Sequence, residues 1–180
     1  MKLLQSRTVW EGKWRVRVDT FRQDDGTQYE RGIIEHPGAV VMVPLVEKED
    51  GRHEILMLRQ YRPALEVTIL ELPAGTREGD EPWLECAQRE LQEETGYRAE
   101  TFVSLGEVWP LPGSSNERMA LFLATELSAD PLPMDIDEEI EVVPFALDEL
   151  VAMSLDGRLE DAKSAVAILR AAHYLGLTAG

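Results

Sequence analysis

The chain has 180 residues, 44% of them hydrophobic and 29% charged, and carries a formal net charge of −16. That is one domain's length, enough to bury a core. The acidic balance supplies no basic stripe and so excludes sequence-independent nucleic-acid binding, yet it tolerates a phosphate substrate if divalent cations stand between acid and polyanion.

The opening, MKLLQSRTVWEGKWRVRV, turns charged before any long apolar run develops, which argues against a signal peptide. The longest nearly apolar stretch, residues 37–46, is too short to span a bilayer, so a cytoplasmic location without a membrane partner is expected. Residues 8–35 read as strands around a turn. Alternation from Trp14 to Val18 fits a half-exposed strand, and Asp25-Gly26 marks a hairpin. The apolar run 39–45 after Pro37-Gly38 predicts a buried strand. Strands at 54–59 and near 68–72 follow, and Pro73-Ala74-Gly75 breaks the second.

The spacing predicts a helix over 82–95. Pro82 suits its first turn, Asp80 and Glu81 complement its N-terminal dipole, and Gly96 ends it. Leu84, Ala87 and Leu91 form an apolar stripe expected to pack on the sheet. Cys86, the sole cysteine, excludes an intrachain disulfide and is expected to be a small buried hydrophobe. Strands at 102–108, 119–125 and 140–145 and helices at 147–154 and 160–175 complete the chain. Mixed strands without a repeating βαβ rhythm indicate an α/β sandwich rather than a doubly wound sheet.

Glu90, Glu93 and Glu94 stand at i, i+3 and i+4, hence on one face of that helix. Apart from Arg89, nothing local neutralises them. A hard divalent cation would remove their repulsion, and Mg²⁺ is the usual choice when phosphates complete its shell. A solvated acidic helix face is the plain alternative.

The wider spacing decides between these. Gly75, Glu81, then Arg89-Glu90-Leu91, Glu93-Glu94 and Gly96 resemble the signature box of the Nudix family at every fixed polar position and glycine. Only Tyr97 departs, an aromatic where an aliphatic is usual. The resemblance implies a loop–helix–loop that binds one or more Mg²⁺ ions, with Mn²⁺ as a substitute. It makes Glu90, Glu93, Glu94 and the Ala74 carbonyl the metal ligands or water positioners, with Gly75, Glu81, Arg89 and Gly96 in support.

Outside the box, EHPGAVVMVPL, LRQYRP, ELPAG and WPLPGSSNE resemble the ADP-ribose pyrophosphatase branch, with Pro112 at its distinguishing proline. Pro112, Gly113 and Glu117 are then substrate contacts, although a rigid turn also accounts for the prolines. Residues 137–142 look like the acidic loop that supplies a catalytic glutamate there, which points to Glu138 as general base, with Glu93 as the other candidate. Arg59 and Arg62 are candidates to clamp the diphosphate, or they pair with nearby acids. Trp10, Trp14 or Tyr29 stack an adenine, or pack in the core or a dimer.

The expected fold is a Nudix-type α/β/α sandwich with a mixed sheet and an N-terminal antiparallel β extension. It forms one domain over 1–180, with 1–36 as the element that builds a homodimer and 37–180 as the catalytic core. The implied function is hydrolysis of a nucleoside diphosphate linked to another moiety, foremost ADP-ribose to AMP and ribose 5-phosphate. A GDP-mannose type of sugar-nucleotide diphosphatase and a non-catalytic nucleotide sensor are the alternatives.

Overall fold

A computed structural model describes residues 1–134 and 139–177. The chain runs β1 (Lys2–Glu11), β2 (Arg15–Arg22), β3 (Gln28–Glu35), β4 (Ala39–Glu47), β5 (His53–Arg62), β6 (Val67–Glu71), β7 (Ala74–Thr76), α1 (Trp83–Thr95), β8 (Tyr97–Val108), β9 (Met119–Ala129), β10 (Ile140–Ala146), α2 (Leu147–Asp156) and α3 (Ala162–Tyr174).

Strand β4 explains the architecture. Residues 39–45 are all buried, as a strand covered on both faces requires. Successive side chains alternate between faces. Val40 and Met42 join Cys86, Ala87 and Leu91 of α1 on one side. Val41, Val43 and Leu45 join Leu147 and Leu150 of α2 and Ile168 of α3 on the other. The result is the expected α/β/α sandwich. Its sheet follows the order β10-β5-β4-β9-β8, with β6 on β5 and β7 on β4. Strands β4 and β9 pair in parallel and the other pairs are antiparallel, so the sheet is mixed.

A second, three-stranded antiparallel sheet holds β1, β2 and β3. Its hairpin turns where expected, with Gly26 at φ +87° and the Thr27 amide donating to Asp25 Oδ1 at 2.9 Å. Most of this sheet is exposed, and Asp19 is its one buried position among the described residues. Loop 111–118 ties it to the larger sheet. The Ile34 amide donates to the Ser114 carbonyl at 2.8 Å, and the His36 amide donates to Asn116 Oδ1 at 2.8 Å.

Several local expectations change. Strand β1 starts at Lys2, well before residue 8, but its side chains are nearly all exposed and leave no burial pattern. Residues 74–76 resume as β7 against β4 after the Pro73 break. Strand β8 starts at Tyr97, five residues early, through a stretch in which only Ala99 is buried. Pro82 caps α1 from outside its first turn. Leu84 is exposed, and Trp83 and Cys86 share the packing with Ala87 and Leu91 in its place. Among the described residues no helix is long and apolar enough to cross a membrane.

Candidate active site

Helix α1 turns two of its glutamates inward. Glu90 and Glu94 are buried beside Cys86, Ala87 and Leu91, while Glu93 lies half-buried at the margin. A carboxylate taken out of water needs a partner, and β7 supplies one for Glu94. The Ala74 amide donates to Glu94 Oε2 at 2.8 Å. Gly75 lies so close to Glu90 that a Cβ there would overlap the Glu90 carboxyl group, so any larger residue would push that carboxylate from its place.

Arg89 holds the remaining charges. Its Nε and Nη2 donate to the two Glu81 oxygens at 3.0 Å each, a forked pairing. Its Nη1 donates at 2.8 Å both to Glu90 Oε1 and to Glu93 Oε2. Hydrogen bonding to Glu81, joined by the charges of Glu90 and Glu81, raises the already high Arg89 pKa against the opposing effect of burial. The Arg89 contact in turn holds the Glu81 carboxyl below the usual carboxylate range. Cys86 is fully buried as expected, and burial, then the charges of Glu81 and Glu90, push its thiol far up and out of reactivity. Gly96 ends the helix in the left-handed region at φ +77°, its amide donating to the Gln92 carbonyl.

Among the described residues no three acidic, histidine or cysteine side chains are drawn tight enough to form a metal centre in this geometry. Arg89 instead gathers two of the three carboxylates. The donor set nevertheless suits a hard cation. Two carboxylate oxygens converge on one positive point, Arg89 Nη1, and every candidate ligand is an oxygen.

The arginines of LRQYRP diverge. Arg59 is exposed on β5, 3.8 Å from Glu141 on the paired strand β10. Arg62, at the end of β5, makes a forked pair with Glu71, Nε at 2.6 Å and Nη2 at 2.8 Å, and also lies within electrostatic reach of Glu94 and Asp161. Sequence reading passed over Glu71. It is 1% exposed, and it accepts a hydrogen bond from Lys163 as well. Burial alone would raise its carboxyl, but hydrogen bonds from Arg62 and Lys163 and their charges bring it below the ordinary value. A glutamate inside the apolar run Ile69-Leu70-Glu71-Leu72 was the available signal.

Pro112 and Gly113 are exposed in the loop before β9, and Glu117 Oε1 lies 3.8 Å from His36 Nδ1. Burial lowers the His36 pKa, and the Glu117 charge offsets part of that. This loop and β7 lie at the same end of β4, where Ala39 pairs with Met119 on one side and Thr76 on the other. Glu117 is tied to His36 through its carboxylate and to the Ser115 hydroxyl through its amide. Trp14 stacks on His36 at 6.0 Å and lies 5.6 Å from Trp10, whereas Tyr29 stacks on Phe21. Glu138 lies outside the described residues.

The chain matches the NUDIX domain family over residues 36–167. It is a Nudix hydrolase. The chain is 36% identical to an ADP-ribose pyrophosphatase of Bacillus subtilis (strain 168), with 93% of each chain covered. It is 35% identical to a GDP-mannose pyrophosphatase of Yersinia enterocolitica, with 83% of this chain and 78% of that one covered. A solved structure described as an ADP compounds hydrolase shares the fold at a TM-score of 0.81, with 22% identity, covering 97% of this chain and 94% of that one. The residues that Arg89 gathers in this Nudix hydrolase are those the sequence singled out by spacing.

Proposed function

We propose that this Nudix hydrolase is a Mg²⁺-dependent pyrophosphohydrolase that cleaves ADP-ribose to AMP and ribose 5-phosphate, acting in the cytoplasm as a homodimer. The observation that carries this reading is the clamp around Arg89, in which Glu90 and Glu93 meet at one nitrogen while Glu94 is pinned to the Ala74 amide. The similarity to the Bacillus subtilis relative supports ADP-ribose as the substrate.

Glu90, Glu93, Glu94 and the Ala74 carbonyl would hold Mg²⁺, with Mn²⁺ as a substitute. Mg²⁺, when bound, neutralises charge on the diphosphate and makes a water more nucleophilic. The protein's own groups do the rest. Glu81 fixes Arg89, and Arg89 orients Glu90 and Glu93. Arg62 meets a phosphate oxygen, and Arg59 is a second cation on the same strand. Glu138 accepts the proton of the attacking water, with Glu93 the other candidate for that role. Pro112, Gly113 and Glu117 bound the substrate beyond the phosphates. Exposed Leu3, Val9 and Trp10 on the N-terminal sheet offer the apolar surface for a second copy.

The GDP-mannose pyrophosphatase relative favours a second reading, a sugar-nucleotide diphosphatase. Retention of Glu81, Arg89 and all three box glutamates weighs against a non-catalytic sensor. A panel of nucleotide-linked diphosphates with Mg²⁺, read by product chromatography, tests the proposal. The expected result is the highest kcat/KM for ADP-ribose, with AMP and ribose 5-phosphate as products. A clearly higher kcat/KM for GDP-mannose overturns the substrate, and full activity in excess EDTA overturns the metal. Light scattering should give twice the chain mass.

A further inference from the structure

Arg62 is held by more than its own strand. Its Nε and Nη2 are both committed to Glu71, which fixes the plane of the guanidinium. Its Nη1 donates no hydrogen bond among the described residues, and its side chain remains 39% exposed. Glu71 is also held from behind. Lys163, one residue into α3, donates to Glu71 Oε2 and at 2.8 Å to Asp161 Oδ2. Asp161 caps α3 by accepting from the Ser164 amide, and the Ser164 hydroxyl accepts from the Leu72 amide at 2.7 Å. Two positive and two negative side chains thus close a balanced network at the strand end that leads, through Leu72 and Pro73, into Ala74 and Glu94.

Such a network exceeds what folding alone requires. A single buried carboxylate is satisfied by one forked arginine, and a second desolvated cation adds cost as well as attraction. What the second cation does add is geometry. Lys163 shares Glu71 Oε2 with Arg62 Nη2, which holds the carboxylate in the plane the Arg62 fork meets, and Nη1 is the guanidinium nitrogen that Glu71 does not take up.

We propose that Lys163 is a positioning residue that sets the aim of Arg62 through the shared carboxylate of Glu71, so that α3 pre-orients the phosphate-binding arginine. This rests on the reading above, in which Arg62 meets a substrate phosphate. Lys163 touches no substrate. A mispositioned guanidinium binds a diphosphate less well and stabilises its transition state less well, and a displacement near 1 Å is enough to be felt at about 100-fold.

The test is a double-mutant cycle on the full chain with Arg62→Met, Lys163→Met and the pair, recording kcat and KM separately with thermal stability alongside. Arg62→Met should raise KM at least 10-fold. Lys163→Met should raise KM by a similar factor, Lys163→Arg should restore most of it, and Lys163→Met should add nothing in the Arg62→Met background. A Lys163→Met effect that persists undiminished without Arg62 overturns the proposal, as does unchanged KM in a folded Lys163→Met protein. If Lys163→Met does not fold, Lys163→Gln and Lys163→Arg carry the same comparison. An Arg62→Met protein with normal KM instead removes Arg62 from the phosphate site and leaves the hydrolase assignment standing.

Discussion

The two sheets of this molecule use similar strands to opposite ends. In the larger sheet β4 is buried on both faces, and its even and odd residues feed two separate cores. In the smaller sheet β1 runs ten residues with scarcely a buried side chain, although it contains Leu3, Val9 and Trp10. Burial is set by what covers a strand, more than by the strand's own residues. The covered sheet packs against α1, the helix that carries the glutamates, and the uncovered one is available to meet something else.

Five measurements press on this contrast, beginning with the largest effect. Glu94→Gln should lower kcat by about 10³-fold with thermal stability nearly intact, the scale seen when a group acting on transition-state charge is removed. Wild-type turnover in that variant would detach α1 from the chemistry. Glu138→Gln should lower kcat by about 10²-fold or more while KM and metal affinity by titration stay near wild type; normal turnover would move the base to Glu93. Gly75→Ala, whose added Cβ overlaps the Glu90 carboxyl group, should cost about 100-fold in kcat. Activity unchanged there would mean Glu90 has other positions open to it.

Stability separates the sheets more directly. Leu121→Ala, at a fully buried site, should cost about 3 kcal/mol in denaturant unfolding, whereas Val9→Ala, at a half-exposed one, should cost under about 0.5 kcal/mol. A large Val9→Ala penalty that grows with protein concentration would show that a second copy covers that sheet. The smallest effect is expected in acid. Because the Glu71 pKa is lowered by folding, its contribution is complete above the ordinary value of 4.5 and is lost as pH falls through the lowered value. Below pH 4.5 the melting temperature of Glu71→Gln should therefore fall less steeply than that of wild type; equal slopes would place the acid sensitivity elsewhere.

The sequence was most informative where one residue type alone can serve. Gly75 and Gly96 mark a close approach and a left-handed helix end, and Glu81, Arg89 and Glu90 mark a fixed set of charges, so their spacing was legible. The continuous run of β4 announced a strand covered on both faces. Exposed strands gave little such signal, which is why the start of β1, before residue 8, and the start of β8 went unread. Leu84 was misplaced because periodicity locates a stripe without saying which margin touches the sheet. The Glu71–Lys163 pair escaped notice because its members are 92 residues apart and meet only after α3 has packed.

The parallel pairing of β4 with β9 bears on how the chain reaches this state. Ala39 aligns with Met119, so the most apolar strand cannot complete its neighbours until some eighty further residues have been laid down. Loop closure over that span is entropically unfavourable before any contact compensates it, and folds dominated by such pairings form slowly. Between synthesis and closure, residues 39–45 are an unpaired hydrophobic edge. The two antiparallel neighbours made within residues 45–76, β5 and β7, can dock on β4 early and shield one side of it. The interval of vulnerability to aggregation therefore ends when β9 arrives, and a growing chain released short of Ala124 would expose β4's other edge to any partner strand in reach.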